Sequence, residues 1–600
     1  MERRSHEGGF RGLTENYRAV PIEATILQDS PRMADLVRAG NLYLTVRDAI
    51  ALALENNLDV EVQRLTPRIA EADLLRARAG GVIRGVSTSV QEGPSGVGAT
   101  RGSESNLTGS VSAGSATLGG QNAANFQQSG GGAVGVQGSV GSLSTGPAVP
   151  SFDPAIVGSL GWNRINRPQT TTFITGTDAL TSTSVPGNLG LQQGFATGGS
   201  LFFGYDVNRV SANNRRQDIN PSHTAGLALN FSQPLLQGFG FGVNRRFIRI
   251  AENNRNVAGY AFEQQLMTTA YTAARLYWDL VALNEDVSVR RRTLELAERL
   301  LAENVEQERV GVLARIELVR TRAEVAQARR DLTLSQTRVL QQETVLKDYL
   351  TRGTVDDAFL RTLRVVPSDT VREPAAQPVE PIQDLIQRAR QSRPDIAQAQ
   401  LQIENAGISL TGSRNALLPS LDLVVSGRTN ALSGSVNALP PLTTGGATNV
   451  IREPNPDFIG GLGTGFSQLF LGRFPDYGAE LRLTIPIRNR AARSDYARDQ
   501  LIKRQSELRL RLLEKQMRVD VVNALTALEQ ARAAFEAARE ARRFQEEALE
   551  AERTKYAVGV STNYVVIQYQ RDLANARFAE IAASTDYIQA KNALDRATGT

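Results

Sequence analysis

The chain reads as mainly α with a transmembrane β portion, built as two copies of one unit. Three observations predict this. The first is the distribution of helix breakers. Well over half of the 52 glycines fall between Gly80 and Gly242, whereas only Gly259 and Gly311 lie between Val243 and Leu350. No proline occurs between Pro234 and Pro367 or after Pro486, so two long blocks are free to be helical. The second is a heptad seam, Leu266, Ala273, Leu280, Val287, Leu294 and Leu301, which marks a coiled-coil face. The third is a gapless internal match. Asp48, Ile50, Ala53, Asp59, Leu65, Ala70, Leu74 and Arg78 recur as Asp384, Ile386, Ala389, Asp395, Leu401, Ala406, Leu410 and Arg414.

Residues 1–41 form an extension that reads as poorly ordered. The first repeat spans 42–350. It opens with LTVRDAIALALENN, where Thr45 and Asp48 form a capping-box-like start, and helical spacing continues to about Arg78. Pro67 is expected to kink this helix or mark a break. A Gly/Ser/Thr-rich insert, 91–200, reads as a long loop at its centre, with residues 155–164 a candidate extra strand. Strict alternation follows in Leu201, Phe203, Tyr205 and Val207, and again in Leu227, Leu229 and Phe231. From about Val243 to Arg309 one Pro-free helix is expected, about 100 Å long at 1.5 Å per residue. Gly311 separates it from a second helix over Ile316–Leu350.

Residues 351–380 form a Pro-containing linker, and the second repeat, 381–600, restarts the same grammar. A helical stretch leads to an alternating strand from Leu421, then to a loop over 428–477. A second strand carries Leu481, Leu483 and Ile485 on one face and Glu480, Arg482 and Thr484 on the other. A Pro-free helix from about Ala491 to Tyr556 carries the seam Met517, Val521, Ala524, Leu528, Ala531, Phe535 and Ala538, and a last helix runs to about Ala597. Pro234 and Pro486 both stand at strand-to-helix junctions, and Val310-Gly311-Val312 matches Val558-Gly559-Val560. Each half is therefore helix, strand, loop, strand, long helix, turn, helix.

An antiparallel pair of long helices with a narrow, Ala-rich seam needs neighbours to bury it. Strands apolar on one face and polar on the other suit a membrane β-barrel, and an open sheet edge is forbidden in lipid. Oligomerisation answers both demands. On the twofold repeat, the LTVRDAIALALENN opening, the Ser232-Gln233-Pro234-Leu235 strand end and the two Val-Gly-Val turns, the chain resembles the TolC family of outer-membrane efflux proteins. The resemblance implies a homotrimer: a 12-stranded barrel in the outer-membrane lipid, continued by a long α-helical coiled-coil barrel across the periplasm. It implies an exit duct of a tripartite efflux or type I secretion system. Such a duct is opened at its tips by a periplasmic adaptor protein and driven by an inner-membrane pump. MERRSHEGGF has no apolar stretch of a signal peptide, which by itself suggests a cytosolic chain; the resemblance instead implies a processed signal or a misassigned start.

The resemblance also assigns positions. The turns Val310-Gly311-Val312 and Val558-Gly559-Val560 correspond to the family's periplasmic tips, where the adaptor docks, although a glycine between helices is also an ordinary helix end. Tyr556 and Glu317 match a Tyr and an acid of the family's closing latch, while Ser561 replaces its Arg. Val565 and Gln568 stand where some members carry two Asp residues at the narrowest ring, so an uncharged constriction is expected. Leu481, Leu483 and Ile485 are expected to face lipid.

Composition excludes much else. The chain has no Cys and only His6 and His223, which leaves no disulfide framework, thiolate metal site or His-based triad, and no cofactor is expected. A formal charge of +5 is small for 600 residues, and Arg290-Arg291-Arg292 sits among acids on a helix, so no nucleic acid is implied. Gly238-Phe239-Gly240-Phe241-Gly242 lacks the dinucleotide-loop spacing and reads as a flexible strand-to-helix junction. No enzyme chemistry is expected. The competing reading is a trimeric coiled-coil surface or structural protein, which leaves the strands between the helices without a purpose.

Overall fold

The computed structural model describes residues 17, 19, 22, 28–85, 89–94, 96–97, 146–311, 314–353, 362–370, 380–441, 452–558 and 560–600. A short helix Pro31–Leu36 (α1) and strands Val37–Arg38 (β1) and Asn41–Leu44 (β2) lead into helices Val46–Asn56 (α2) and Leu58–Arg78 (α3). Strands Ala155–Leu160 (β3), Asn163–Pro168 (β4), Ala179–Gly194 (β5), Ser200–Ala212 (β6) and Ile219–Pro234 (β7) follow. Then come a single turn Phe241–Asn244 (α4) and the long helices Arg246–Arg309 (α5) and Arg315–Leu350 (α6). Strand Arg364–Pro367 (β8) opens the second half, which continues with helices Ile382–Ser392 (α7) and Pro394–Asn415 (α8) and strand Ser420–Val436 (β9). Helix Leu462–Phe470 (α9), strand Pro475–Thr484 (β10) and helices Arg490–Ala557 (α10) and Asn563–Thr598 (α11) complete it.

Thr45 starts α2 as its spacing predicts. Its hydroxyl accepts from the Asp48 N–H while Asp48 takes the Thr45 N–H, so two donors that the helix leaves free are satisfied. The helix break falls at Asn57, not at Pro67. The Asn57 side chain accepts from the N–H groups of Asp59 and Val60 and begins α3, which then runs unbroken through Pro67. The expected disorder before residue 42 is corrected for 28–41. Ser30 caps α1, and Met33 is buried in the core that Leu42, Leu44 and Leu52 form with Leu276, Tyr277 and Leu280 of α5 and Leu346 of α6. β2 pairs with β1 on one side and, in parallel, with β8 on the other. The Tyr277 hydroxyl ties this core to the long helices, donating to Leu44 O or Asp369 Oδ2 at 3.0 and 2.9 Å.

On α5 the heptad seam is buried at Ala273 and Leu280, together with Leu276, Tyr277 and Val281. Toward the far end the buried line passes to Ala297, Leu300 and Asn304, leaving Leu294 and Leu301 half-buried. A strict seven-residue repeat drifts on a 3.6-residue helix, and α5 exchanges neighbours along its length, packing on α2, α3 and α8 and on α6 and α11. On α10, Met517, Val521 and Phe535 are buried, while Ala524, Leu528, Ala531 and Ala538 are half-buried.

The strands depart most from expectation. The first half carries four antiparallel lanes: the two alternating strands, the candidate strand at 155–164, and β5, which departs from expectation. β3 and β4 pair with β5 in one continuous register, Leu160 opposite Gly187 and Asn163 opposite Ser184, so they are one lane with a gap at Gly161 and Trp162. The gap lies opposite Pro186, which has no N–H to give, although its carbonyl accepts from Gly161 at 2.8 Å. The sheet order is β10, β9, β7, β6, β5, then the β3–β4 lane. Residues 428–436, expected in a loop, extend β9 because β7 pairs with them, with one irregularity at Ser435, and α9 occupies part of the remaining connection.

Cross-strand partners share a face. One face holds Leu481 and Leu483, opposite Leu423 and Leu421. It continues through Val425, Phe231, Leu229, Leu227, Leu201, Phe203, Tyr205, Leu189 and Leu191 to Ile156, Leu160 and Trp162. The other carries Glu480, Arg482, Asp422, Asn430, Asn230, Asp206, Asn208 and Asn188.

Candidate functional site: the helix turns and the strand–helix junction

The two helix hairpins end in turns. Val310 closes α5, its N–H donating to Glu306 O at 3.1 Å, and Gly311 follows with φ of 79°. No atom lies within 4 Å of where a Gly311 side chain would begin, so the backbone conformation, not crowding, calls for glycine. At the second turn the Val560 N–H donates to Lys555 O at 2.9 Å, the closure of a Schellman helix end. Val310, Val558 and Val560 are 60%, 70% and 78% exposed, so this end of the chain presents apolar side chains without a core. Val312 and Gly559 lie outside the described residues.

Behind the turns, Tyr556 and Glu317, which match residues of the family's latch, take other partners within the chain. The Tyr556 hydroxyl accepts from Gln307 Nε2 at 3.4 Å. Glu317 is held by Arg320 at 2.7 Å, one helical turn along, so Tyr556 and Glu317 are not joined to each other within the chain. Ser561, in place of the family's Arg, donates to Glu552, which also pairs with Lys555 at 3.1 Å. These two hydrogen bonds, Ser561 first, hold the Glu552 carboxyl below its ordinary value. Val565 is half-buried and Gln568 exposed, while Val566 between them is buried with Leu549 and Leu573 against Tyr556 and Tyr569.

Contacts that sequence reading did not select join the two hairpins. Arg571 Nε stands 3.6 Å from Glu324 Oε1, and the Arg320 guanidinium lies 5.8 Å from the Tyr564 ring centre. A usable signal existed. The offset that pairs Gly311 with Gly559 sets Glu324 level with Asp572, one residue from Arg571, yet each alone is an ordinary charged helix residue.

At the other end of the helices the junction is tied down rather than flexible. Pro234 ends β7, and Leu235 N–H donates to Leu421 O at 2.7 Å. Gly238 and Gly240 have φ of 83° and 103°, and the buried Asn244 amide donates to both their carbonyls at 2.7 and 2.9 Å. Arg246, 2% exposed, donates to Val243 O at 2.8 Å and Pro147 O at 2.6 Å, with its guanidinium 4.4 Å from the Phe247 ring centre. Burial lowers that guanidinium to about 10. Pro486 lies two residues past β10, before Asn489, whose left-handed backbone begins α10 and whose side chain donates to Leu417 O at 3.1 Å. On the sheet, Leu481, Leu483 and Ile485 are each more than half exposed. On the polar face Arg428 of β9 reaches across β7 to Asp206 of β6 at 2.8 Å, a crossing open only because Gly226 lies between them without a side chain.

Among the described residues no helix is long and apolar enough to cross a membrane, and no group of metal-ligating side chains is assembled. Two-faced strands, hairpins of about 100 Å and apolar turns at their far end together describe a body with a lipid-compatible sheet and a long helical extension. No curated protein matches the sequence. Among solved structures, the CmeC outer membrane channel of Campylobacter jejuni is similar, with 14% identity, 92% of this chain and 85% of that chain covered, and a TM-score of 0.54. The open state of the MtrE outer membrane channel of Neisseria gonorrhoeae matches with 16% identity, coverage of 92% and 88%, and a TM-score of 0.53. A membrane protein of Pseudomonas aeruginosa matches with 17% identity, coverage of 94% and 91%, and a TM-score of 0.55. These likenesses establish the fold over nearly the whole length. The model of the family described as outer membrane efflux protein matches residues 385–600 of this chain.

Proposed function

We propose that the protein is the outer-membrane channel of an export assembly, a homotrimer whose sheets close into a barrel in the lipid and whose helices continue as a duct across the periplasm. A periplasmic adaptor docks on the turns around Gly311 and Gly559 and opens them, and an inner-membrane pump supplies the energy. The observation that carries this reading is the continuity of one chain from a sheet with an apolar outer face to paired helices ending in exposed valines. The internal repeat supports it: α2 and α7 each have 11 residues, and α6 and α11 each have 36.

The test is conductance of the purified protein in a planar bilayer. Discrete steps are expected, small for the native protein and larger when the contacts behind the turns are removed. Trimers that insert but stay silent with those contacts removed would sink the channel reading. Failure to insert would favour the coiled-coil surface protein.

A further inference from the structure

Among the described residues the sheet has two unpaired edges, β10 on one side and the β3–β4 lane on the other. We propose that β10 of each chain pairs with the β3–β4 lane of the next copy. Six lanes then enter the barrel from every chain, and a trimer closes as an eighteen-stranded barrel rather than the twelve that the family resemblance implies. This rests on the trimeric-channel reading above.

Direction is the first argument. The lanes alternate without exception, each antiparallel to its neighbours from β10 to β3–β4. With six lanes the two edges run oppositely, so rotation of one copy onto the next makes an antiparallel junction, the kind a membrane barrel uses throughout. The second argument is the apolar face. It reaches both edges, through Leu481 and Leu483 on β10 and through Ile156, Leu160 and Trp162 on the outer lane, the last three being 77%, 82% and 66% exposed. A hairpin lying outside the barrel would not need this pattern in phase with the other strands.

The third argument excludes a four-lane contribution. For β6 to be an edge it would have to leave β5, but the two pair along the whole of Ser182–Gly194 and Ser200–Ala212, with a short connection in which Phe195 N–H donates to Gly199 O at 2.8 Å. The outer lane also springs from the helices as β9 does. Phe152 N–H donates to Ala79 O at 3.0 Å, so the chain returns to the end of α3 just before β3 begins, as α8 ends just before β9. Open ladders in lipid leave every backbone donor and acceptor on the edge unsatisfied, and mutual pairing is what removes them. Because barrel diameter grows roughly linearly with strand number, the exit is about one and a half times as wide as a twelve-stranded one.

The native chain has no cysteine, so introduced pairs are its only thiols. Leu481→Cys is combined in turn with Ile156→Cys, Gly158→Cys and Leu160→Cys in the full-length protein extracted from outer membranes. The control pair is Leu481→Cys with Tyr205→Cys, which faces the same side from β6. A disulfide needs Cβ atoms about 3.5–4.5 Å apart, so only strands that are paired respond. The expected result is a reductant-sensitive covalent trimer on denaturing gels for at least one of the three pairs and none for the control. Trimers by native mass that cross-link through Tyr205, or through none of the pairs, overturn the proposal while leaving the trimeric channel standing. Cross-linking through the β3 pairs in an assembly that is not three chains overturns the strand number and the trimer reading, and keeps only the edge pairing. A single-chain native mass overturns both.

Discussion

At the scale of single residues, two positions make the local chemistry measurable. Gly311 is strained for any other residue by its φ of 79° alone, since space around it is open. Gly311→Ala is expected to cost about 1 kcal/mol, felt only in the last turn of α5, and hydrogen exchange should show faster opening of Val310 and Gly311 amides with α2 and α3 unchanged. Asp279 on α5 carries a carboxyl raised to about 6. Burial is the main cause, opposed by the amide of Gln589 at 2.7 Å and by Arg275, and reinforced by Asp586. A carboxyl raised in the folded state holds its proton longer than in the unfolded chain. Its contribution is favourable at low pH and is lost as pH rises from about 4 through about 6. Asp279→Asn keeps an acceptor for Gln589 without the charge, so the apparent unfolding temperature of the extracted protein should rise at pH 7.5 and match the native protein near pH 4. An equal change at both values would mean that the carboxyl titrates normally.

At the scale of elements, the alternation of the strands fixes which substitutions matter. Leu229 and Asn230 are neighbours on β7 but face opposite sides of the sheet. Leu229→Arg should destabilise folding into phosphatidylcholine vesicles by about 2–4 kcal/mol, read by urea titration, while Asn230→Arg should change it little. Equal penalties at both positions would place neither face in lipid. The helices were legible in the sequence because breakers bound them sharply. The expected Ile316–Leu350 and the observed Arg315–Leu350 differ by one residue, and Thr45 with Asp48 announced the start of α2. The strands were legible only where alternation was strong. β5 escaped because Pro186, Gly187 and Gly190 interrupt its pattern, and the Gly- and Asn-containing end of β9 escaped because its partner β7, not its own propensity, holds it extended. The turns were found by repeat and spacing. The partners of Tyr556 and Glu317 were not, because one spacing leaves several polar residues on neighbouring helices within reach.

At the scale of the whole molecule, opening the proposed duct at its far end requires the two hairpins of each chain to part, and the contacts between them set the cost. Glu324 on α6 and Arg571 on α11 form the one ion pair found between α6 and α11 near the turns among the described residues. Arg571 is largely exposed, so the pair contributes about 0.5–1 kcal/mol in one chain. In a trimer that opens as a unit the three copies add to roughly 1.5–3 kcal/mol, about a tenfold to hundredfold change in the open-to-closed ratio. Glu324→Arg and Arg571→Glu, each made alone, place like charges against each other and should raise the open fraction of the channel in planar bilayers by at least tenfold. The double reversal restores opposite charges at the same distance and should return the open fraction close to the native value, a coupling that neither single change would reveal. The effect should shrink as salt rises from about 0.1 to 1 M, where the screening length falls from about 10 to 3 Å. If both single variants gate like the native protein, the hairpins are not held closed by this contact, and the hydrogen bond from Gln307 to Tyr556 becomes the contact to remove.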